Sequence, residues 1–250
     1  MLLLLTTSAF ATWTVLALDA DTGEVGEAGA TCGPFVWEVA GLAPGYGAVA
    51  AQYATNLEGR DRAVQRLAEG ATPDAVIAEL TGAAFADDDL PERQYGVVAF
   101  SGESAGYSGD LVEDDHAEVG DATVRAQGNT LRGADVVESA YAATADGEGT
   151  LAERLLLGLE AGRDAGGDAR CPADAPAQSA FLHVATEADP AAVSIEAAPV
   201  FGGDPVAALR DIFDAGETGC ASASGAPSFG LGIAAAALIG WRRSTRTSRR

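Results

Sequence analysis

Thr12-Trp-Thr-Val-Leu-Ala-Leu18 runs into Asp19-Ala-Asp-Thr-Gly23, and Val25-Gly-Glu-Ala-Gly-Ala30 follows after Glu24. Two apolar runs flank a stretch of Asp, Thr and Gly, the composition of a tight turn between antiparallel strands. The stretch predicts strands over Thr12–Leu18 and Val25–Ala30, joined as a hairpin. Val36–Leu42 and Tyr46–Tyr53, around Ala43-Pro44-Gly45, read as a second pair. Both pairs carry the β-branched and small apolar residues that suit buried sheet.

The hydrophobic period then changes. Leu57–Gly70 places Ala63, Val64, Leu67 and Ala68 on one face, which predicts an amphipathic helix ended by Gly70. Thr72-Pro73 marks a helix start, with Thr as N-cap and Val76, Ile77 and Leu80 facing inward. Asp87-Asp88-Asp89 reads as a solvated loop. Strands return at Gln94–Phe100, around Tyr107 and at Ala122–Gln127. Helices follow at Ala134–Thr144 and after the capping box Thr150-Leu-Ala-Glu153. Beyond a Gly- and Asp-rich loop over Gly162–Pro176, strands Ser179–Ala185 and Ala191–Ala197 precede a helix over Val206–Phe213. Clustered strands alternating with clustered helices argue an α+β layered fold, not a doubly wound parallel sheet.

The 250-residue chain has 48% hydrophobic residues, ordinary for a globular protein. Its formal charge is −22; it has no lysine, and its basic residues are 15 arginines. Such a surface repels phosphate backbones, so nucleic acid is excluded as a partner.

Both ends read as processing signals. Residues 1–11 run from a leucine stretch into Ala9-Phe10-Ala11, the small-x-small form that signal peptidase accepts. Cleavage after Ala11 leaves Thr12 first. Near the other end, Gly219-Cys220 precedes a small-residue spacer, the apolar run Phe229–Trp241 and an arginine cluster. Counted from Ala221, the stretch just reaches the roughly 20 residues of a transmembrane helix, with the arginines held cytoplasmic. This order resembles the MYXO-CTERM class of sorting tags, which implies cutting near Cys220 by a sorting protease. The protein would be membrane-anchored before that cut and end at the cell surface or outer membrane. The divisions are thus residues 1–11, a body over 12–216 and a tag over 217–250. With Cys220 in the tag, Cys32 and Cys171 remain as a disulfide candidate in an oxidising compartment.

Further strings run in order through the body: Gly45-Tyr-Gly-Ala-Val-Ala-Ala-Gln52, Arg93-Gln-Tyr-Gly-Val-Val98, Ala126-Gln-Gly-Asn129, Leu151-Ala-Glu-Arg-Leu155, Ala165-Gly-Gly-Asp-Ala-Arg170 and Gln178-Ser-Ala180. With the Thr12 and Asp21–Gly26 stretches, they resemble the family catalogued as domain of unknown function 1028, placed among the N-terminal-nucleophile hydrolases. The resemblance implies a four-layer αββα sandwich and a mature chain that begins at Thr12.

An N-terminal threonine carries its own base, an α-amine whose reference pKa is roughly 7.7–8.0. Thr12 is therefore the expected nucleophile toward an amide or ester carbonyl of a small substrate, with no cofactor. The oxyanion would need fixed donors. Proteasome-like relatives use a lysine, which this sequence lacks. The remaining oxyanion or substrate-binding candidates are the side chains of Gln52, Gln127, Asn129 and Ser179 and backbone amides around Gly128. Gln127-Gly128-Asn129 reads equally well as a strand-ending turn, and Asp168 after Gly166-Gly167 reads as a turn residue.

Three rival readings are weaker. Gly102-Glu103-Ser104-Ala105-Gly106 has the string of an esterase nucleophile elbow, but no helical period follows it. Asp19-x-Asp21-x-Gly23 begins like a calcium loop but reaches Ala30 at the twelfth position, where the loop needs Glu. His116 and His183 are too few for a zinc site, so no metal is expected. The non-enzymatic alternative is a surface binding module on the same fold.

Overall fold

A computed structural model describes residues 12–113, 115–197 and 203–218. The leader 1–11, Ala11 included, and nearly all of the tag, with Cys220 and its apolar run, lie outside the described residues. Among the described residues no helix is long and apolar enough to cross a membrane.

The predicted hairpin is β1 (Thr12–Asp19) and β2 (Glu24–Thr31), antiparallel in the register Thr12↔Thr31 to Asp19↔Glu24. Its turn is held by the Asp19 carboxylate, which accepts the N–H groups of Asp21 and Thr22 at 3.0 and 3.2 Å. Gly23 supplies the left-handed residue at φ 72°. This carboxylate is engaged by its own turn, and among the described residues no group of three or more His, Cys, Asp or Glu could hold a metal.

The remaining elements, in chain order, are β3 (Ala40–Ala43), β4 (Gly47–Tyr53), α1 (Leu57–Ala68), α2 (Pro73–Leu80), β5 (Arg93–Ala99), β6 (Gly102–Ser108), β7 (Ala117–Gly120), β8 (Val124–Asn129), α3 (Asp135–Ala145), α4 (Leu151–Asp164), β9 (Ser179–Ala185), β10 (Val193–Ala197) and α5 (Pro205–Thr218). They form two antiparallel sheets, β10-β9-β2-β1-β8-β7 and β3-β4-β5-β6.

Strand alternation decides what each face meets. On β1, Trp13, Val15 and Ala17 point to a core shared with Leu155, Leu156 and Leu159 of α4 and Val136 of α3. Leu16 and Leu18 point the other way, onto Ala48, Ala50 and Val98 of the second sheet. The outer face of that sheet, Val49, Ala51, Tyr95 and Val97, packs on Ala63 and Leu67 of α1 and Val76 and Leu80 of α2. The order of packing is therefore helices, sheet, sheet, helices, in a mixed α+β fold.

Helix starts follow local chemistry. Asn56 accepts the Gly59 N–H at 2.9 Å, Thr72 caps Ala75 beside Pro73, and Thr150 caps Glu153. The expected capping box is half formed, because the Glu153 carboxylate pairs with Arg210 of α5 at 2.9 Å.

The structure corrects other expectations. The strand expected over Val36–Leu42 is a 3-10 turn, Val36–Val39, followed by the short β3. Phe35 enters that turn in the left-handed region at φ 66°, and the Val36 N–H is captured by Ser179 Oγ at 3.2 Å instead of a neighbouring strand. β7 was not expected; it is a half-exposed edge strand with no apolar run to mark it. Ser104 lies inside β6, whose next element is β7, so the strand-to-helix elbow is absent.

At one end of the sandwich the sheets approach closely over Gly96. A Cβ added there would lie 2.1 Å from Oε1 of the buried Gln127. Gly96→Ala therefore displaces the buried Gln127 amide and should lower stability by about 1–3 kcal/mol, read as a lower urea midpoint. Gly216→Ala on α5, where nothing lies within 4 Å, should leave the midpoint unchanged or raise it.

Candidate active site

The first residue of β1 lies in the interior of the larger sheet, paired with Thr31 on β2 and Asn129 on β8. By alternation the side chains of Thr12 and Thr14 face the second sheet. The Thr12 hydroxyl, almost fully buried, donates to Thr31 Oγ1 at 3.4 Å. Thr12 and Thr31 line a cleft of about 420 Å³. The segment 34–39 contributes Pro34, Phe35, Val36 and Val39, with Glu38 among them, and the segment 89–93 supplies Asp89, Glu92 and Arg93.

Below the cleft, where aliphatic residues give way to polar ones, an amide network joins the sheets. Gln52 accepts from Thr14 Oγ1 at 2.7 Å and donates to the Thr12 carbonyl at 3.2 Å and to Gln94 Oε1 at 2.8 Å. Gln94 donates to Ser108 Oγ at 3.0 Å and to the Gly128 carbonyl at 3.2 Å, and accepts from Asn129 at 3.0 Å. All but Ser108 are essentially inaccessible, so the hydrogen bonds offset the cost of burying these groups.

The expected site residues thus fall into different places. Gln52, Asn129 and Gly128 are gathered beneath Thr12, where the amides hold backbone and each other. Gln127 lies against Gly96, and its amide has no hydrogen-bond partner among the described residues. Ser179 is fixed from the side, donating to the Gly33 carbonyl at 2.6 Å and so tying down the loop that forms the apolar wall. Gln127-Gly128-Asn129 is the end of β8, and the left-handed residue is the next one, Thr130, at φ 50°.

Sequence reasoning missed the residues that flank the Thr12 hydroxyl. Asp168, read as a turn residue, has no exposed surface. Its carboxylate accepts the Cys32 N–H at 2.7 Å, the Arg170 N–H at 2.9 Å and the Arg170 guanidinium at 2.8 and 3.2 Å. Arg170 Nη2 thereby comes within 3.5 Å of Thr31 Oγ1, which itself touches Thr12. The Cys32–Cys171 disulfide, Cα–Cα 5.5 Å, ties together the neighbours of Thr31 and Arg170. The adjacent glycines Gly166 and Gly167, at φ 120° and 58°, make the turn that permits this placement. The one sequence clue was the string Ala165–Arg170, which contains the carboxylate and the arginine two residues apart.

Across the cleft, Arg93 is bound by Asp87 at 2.8 Å, by Asp89 at 3.4 Å and by the Ala54 carbonyl at 2.5 Å. The hydrogen bond from Arg93 holds the Asp87 carboxyl below its usual range.

A separate, smaller cavity of about 190 Å³ lies beside His183 on β9. Burial pushes this imidazole down to about 4, so its 3.4 Å approach to Glu196 is not an ion pair at neutral pH. Its cross-strand neighbour Glu27 is buried, and desolvation raises its carboxyl well above the usual range despite the Gly41 N–H that it accepts. His116 is exposed and bonded to the Glu113 carbonyl at 2.7 Å.

Residues 12–209 match the sequence family described as a family of unknown function, DUF1028. The fold is similar to the crystal structure of protein SPO2555 from Silicibacter pomeroyi, assigned to the same family. The TM-score is 0.72 and the identity 25%, over 83% of this chain and 90% of that one. No curated protein matches the chain.

Removing the Asp168 carboxylate takes the acceptor from the part-buried Cys32 N–H and breaks the ion pair with Arg170. Asp168→Ala should destabilise by about 2–4 kcal/mol in urea titrations, because Arg170 keeps some access to water. His183 contributes in the opposite pH sense to Glu27. Its folded pKa of about 4 lies below the unfolded 6.5, so its stabilisation is complete above pH 6.5 and is lost as pH falls toward 4. Glu27 stabilises at low pH and loses that contribution as pH rises through its raised folded pKa. The difference between wild type and His183→Leu isolates the histidine. The acid limb between pH 6.5 and 4 should be flatter in the variant, by up to about 3 kcal/mol in total.

Proposed function

This chain belongs to the DUF1028 family, and from that premise we propose that it acts as an N-terminal-threonine hydrolase of amide or ester bonds, in a fold of the N-terminal-nucleophile type. The observation that carries the reading is the position of Thr12. Its hydroxyl lies at a cleft, at the start of an interior strand, with another hydroxyl at 3.4 Å and a guanidinium one residue beyond.

Export with cleavage after Ala11 frees the Thr12 α-amine. The unprotonated amine takes the hydroxyl proton as Oγ1 attacks the carbonyl carbon. The tetrahedral intermediate collapses, the leaving group takes that proton, and an ester to Thr12 remains. The amine then deprotonates water, which attacks the ester, and expulsion of Oγ1 releases the acid and restores the hydroxyl. Thr31 orients Oγ1. Arg170, whose Nη2 lies 3.5 Å from Thr31 Oγ1, is a hydrogen-bond donor for developing negative charge. Asp168 fixes the guanidinium, and the strand pairing on both sides of Thr12 sets the approach geometry. The tag leaves the mature protein at the cell surface.

The structure also offers support for the alternative reading, a surface binding module: the amides beneath Thr12 all bond within the protein. Mass spectrometry of the exported protein's terminal peptide separates the readings. Thr12 is expected as the first residue. A panel of nitrophenyl esters and nitroanilides should then show turnover that Thr12→Ala lowers at least about 1,000-fold and Thr12→Ser largely retains. A mature chain beginning elsewhere, or Thr12→Ala with unchanged rates, would leave the binding module.

A further inference from the structure

We infer that the cleft beside Thr12 selects a small organic cation with an apolar arm, an amide or ester that also carries an ammonium group. The cleavable carbonyl rests on the hydrolase reading; the charge and shape preference rests on the walls alone.

The charge of the lining is one-sided. Glu38, Asp89 and Glu92 contribute carboxylates and Arg93 the one guanidinium among the lining residues. That guanidinium is already held by Asp87, Asp89 and the Ala54 carbonyl. Among the described residues the Glu38 and Glu92 carboxylates have no ion-pair partner. Arg170, on the far side of Thr31, does not reverse this sign, because Asp168 binds it through two of its nitrogens. The Thr12 amine must be neutral to serve as base, so it adds no cation in the reactive state. A ligand carboxylate would meet like charge on entry, and an ammonium would meet its complement.

The apolar wall supplies an independent argument. Phe35 is 53% exposed, although it sits in a left-handed conformation at φ 66° that costs a bulky residue of order 1–2 kcal/mol. Ser179 holds the loop in this shape through Gly33 and Val36, and Trp37 packs edge-on against the ring at 5.4 Å. An exposed ring in the lining, beside the buried Val36 and Val39, suits an apolar group and can also face an ammonium.

The test uses the purified exported protein, its first residue established by mass spectrometry, and probes matched in shape but opposite in charge, 2-phenylethylammonium and 3-phenylpropanoate, titrated by calorimetry at low salt. The cation should bind at least 10-fold more tightly. Methylammonium, which has the charge but not the ring, should bind at least 10-fold more weakly than 2-phenylethylammonium. Glu38→Gln with Glu92→Gln should reduce the charge preference to within threefold, whereas Glu58→Gln outside the cleft should not change it. Phe35→Gly, which relieves the backbone and removes the ring, should weaken the cation at least fivefold. Equal or tighter binding of the anion, or a preference unchanged in the double variant, overturns the inference. Cleavage is read separately with phenylalanine 4-nitroanilide. If the cation preference holds and Thr12-dependent cleavage is absent, the hydrolase reading fails and the ligand class stands.

Discussion

Two β-sheets laid face to face exclude polar groups from the space between them, or offset the cost of burying them with hydrogen bonds. Over most of this interface Leu16, Leu18, Ala48, Ala50 and Val98 take the first solution. At the end where β1 begins, Thr12, Thr14, Gln52, Gln94 and Asn129 face one another, all buried and joined by hydrogen bonds, with the Gln127 amide beside them against Gly96. Gln94 is the junction, since its one amide meets Gln52, Asn129, Ser108 and the Gly128 carbonyl. Loss of any partner strands a buried donor or acceptor. That constraint sets the spacing of the sheets and holds the Thr12 backbone in place.

The second fixed point is Asp168. Strand pairing brings Thr12 and Thr31 side by side, but it says nothing about the loop that carries Arg170. The Asp168 carboxylate supplies that relation through the Cys32 N–H and the guanidinium, and the disulfide one residue away makes it covalent. The cleft wall is anchored similarly, by Ser179 beneath the Gly33–Val36 loop. Side chains that read as substrate-binding candidates thus act largely on the protein's own backbone.

Much of the fold was legible because it rests on local patterns. The turn between Thr12–Leu18 and Val25–Ala30, the change to helical period at Leu57 and the caps at Thr72 and Thr150 depend on neighbours in sequence. β7 was not legible, because a half-exposed edge strand needs no apolar alternation. The turn at Val36–Val39 was missed for the opposite reason: its residues look like strand, and a hydroxyl more than 100 residues away decides otherwise. Thr12 stood out as a candidate from the chemistry of a chain terminus and the family resemblance. Thr31, Gln94, Asp168 and Arg170 did not, because each acquires its partner only when distant segments meet. Asp168 shows the limit well, since Asp after two glycines has a sufficient local explanation as a turn.

The order β10-β9-β2-β1-β8-β7 has a consequence for how the chain reaches this state. The β1–β2 hairpin is made first and is central, yet both of its edges must wait. β8 closes one through Thr12↔Asn129 and β9 closes the other through Thr31↔Ser179. Until then the hairpin exposes unpaired backbone on either side, the condition that favours pairing between chains. Contacts this distant in sequence also form slowly, because a long loop must close before they reward it. A half-synthesised chain therefore holds Thr12 with Thr31 but without Asn129, Asp168 and Arg170. The grouping around Thr12 becomes complete only after β8 and the loop that carries Asp168 and Arg170 have been made.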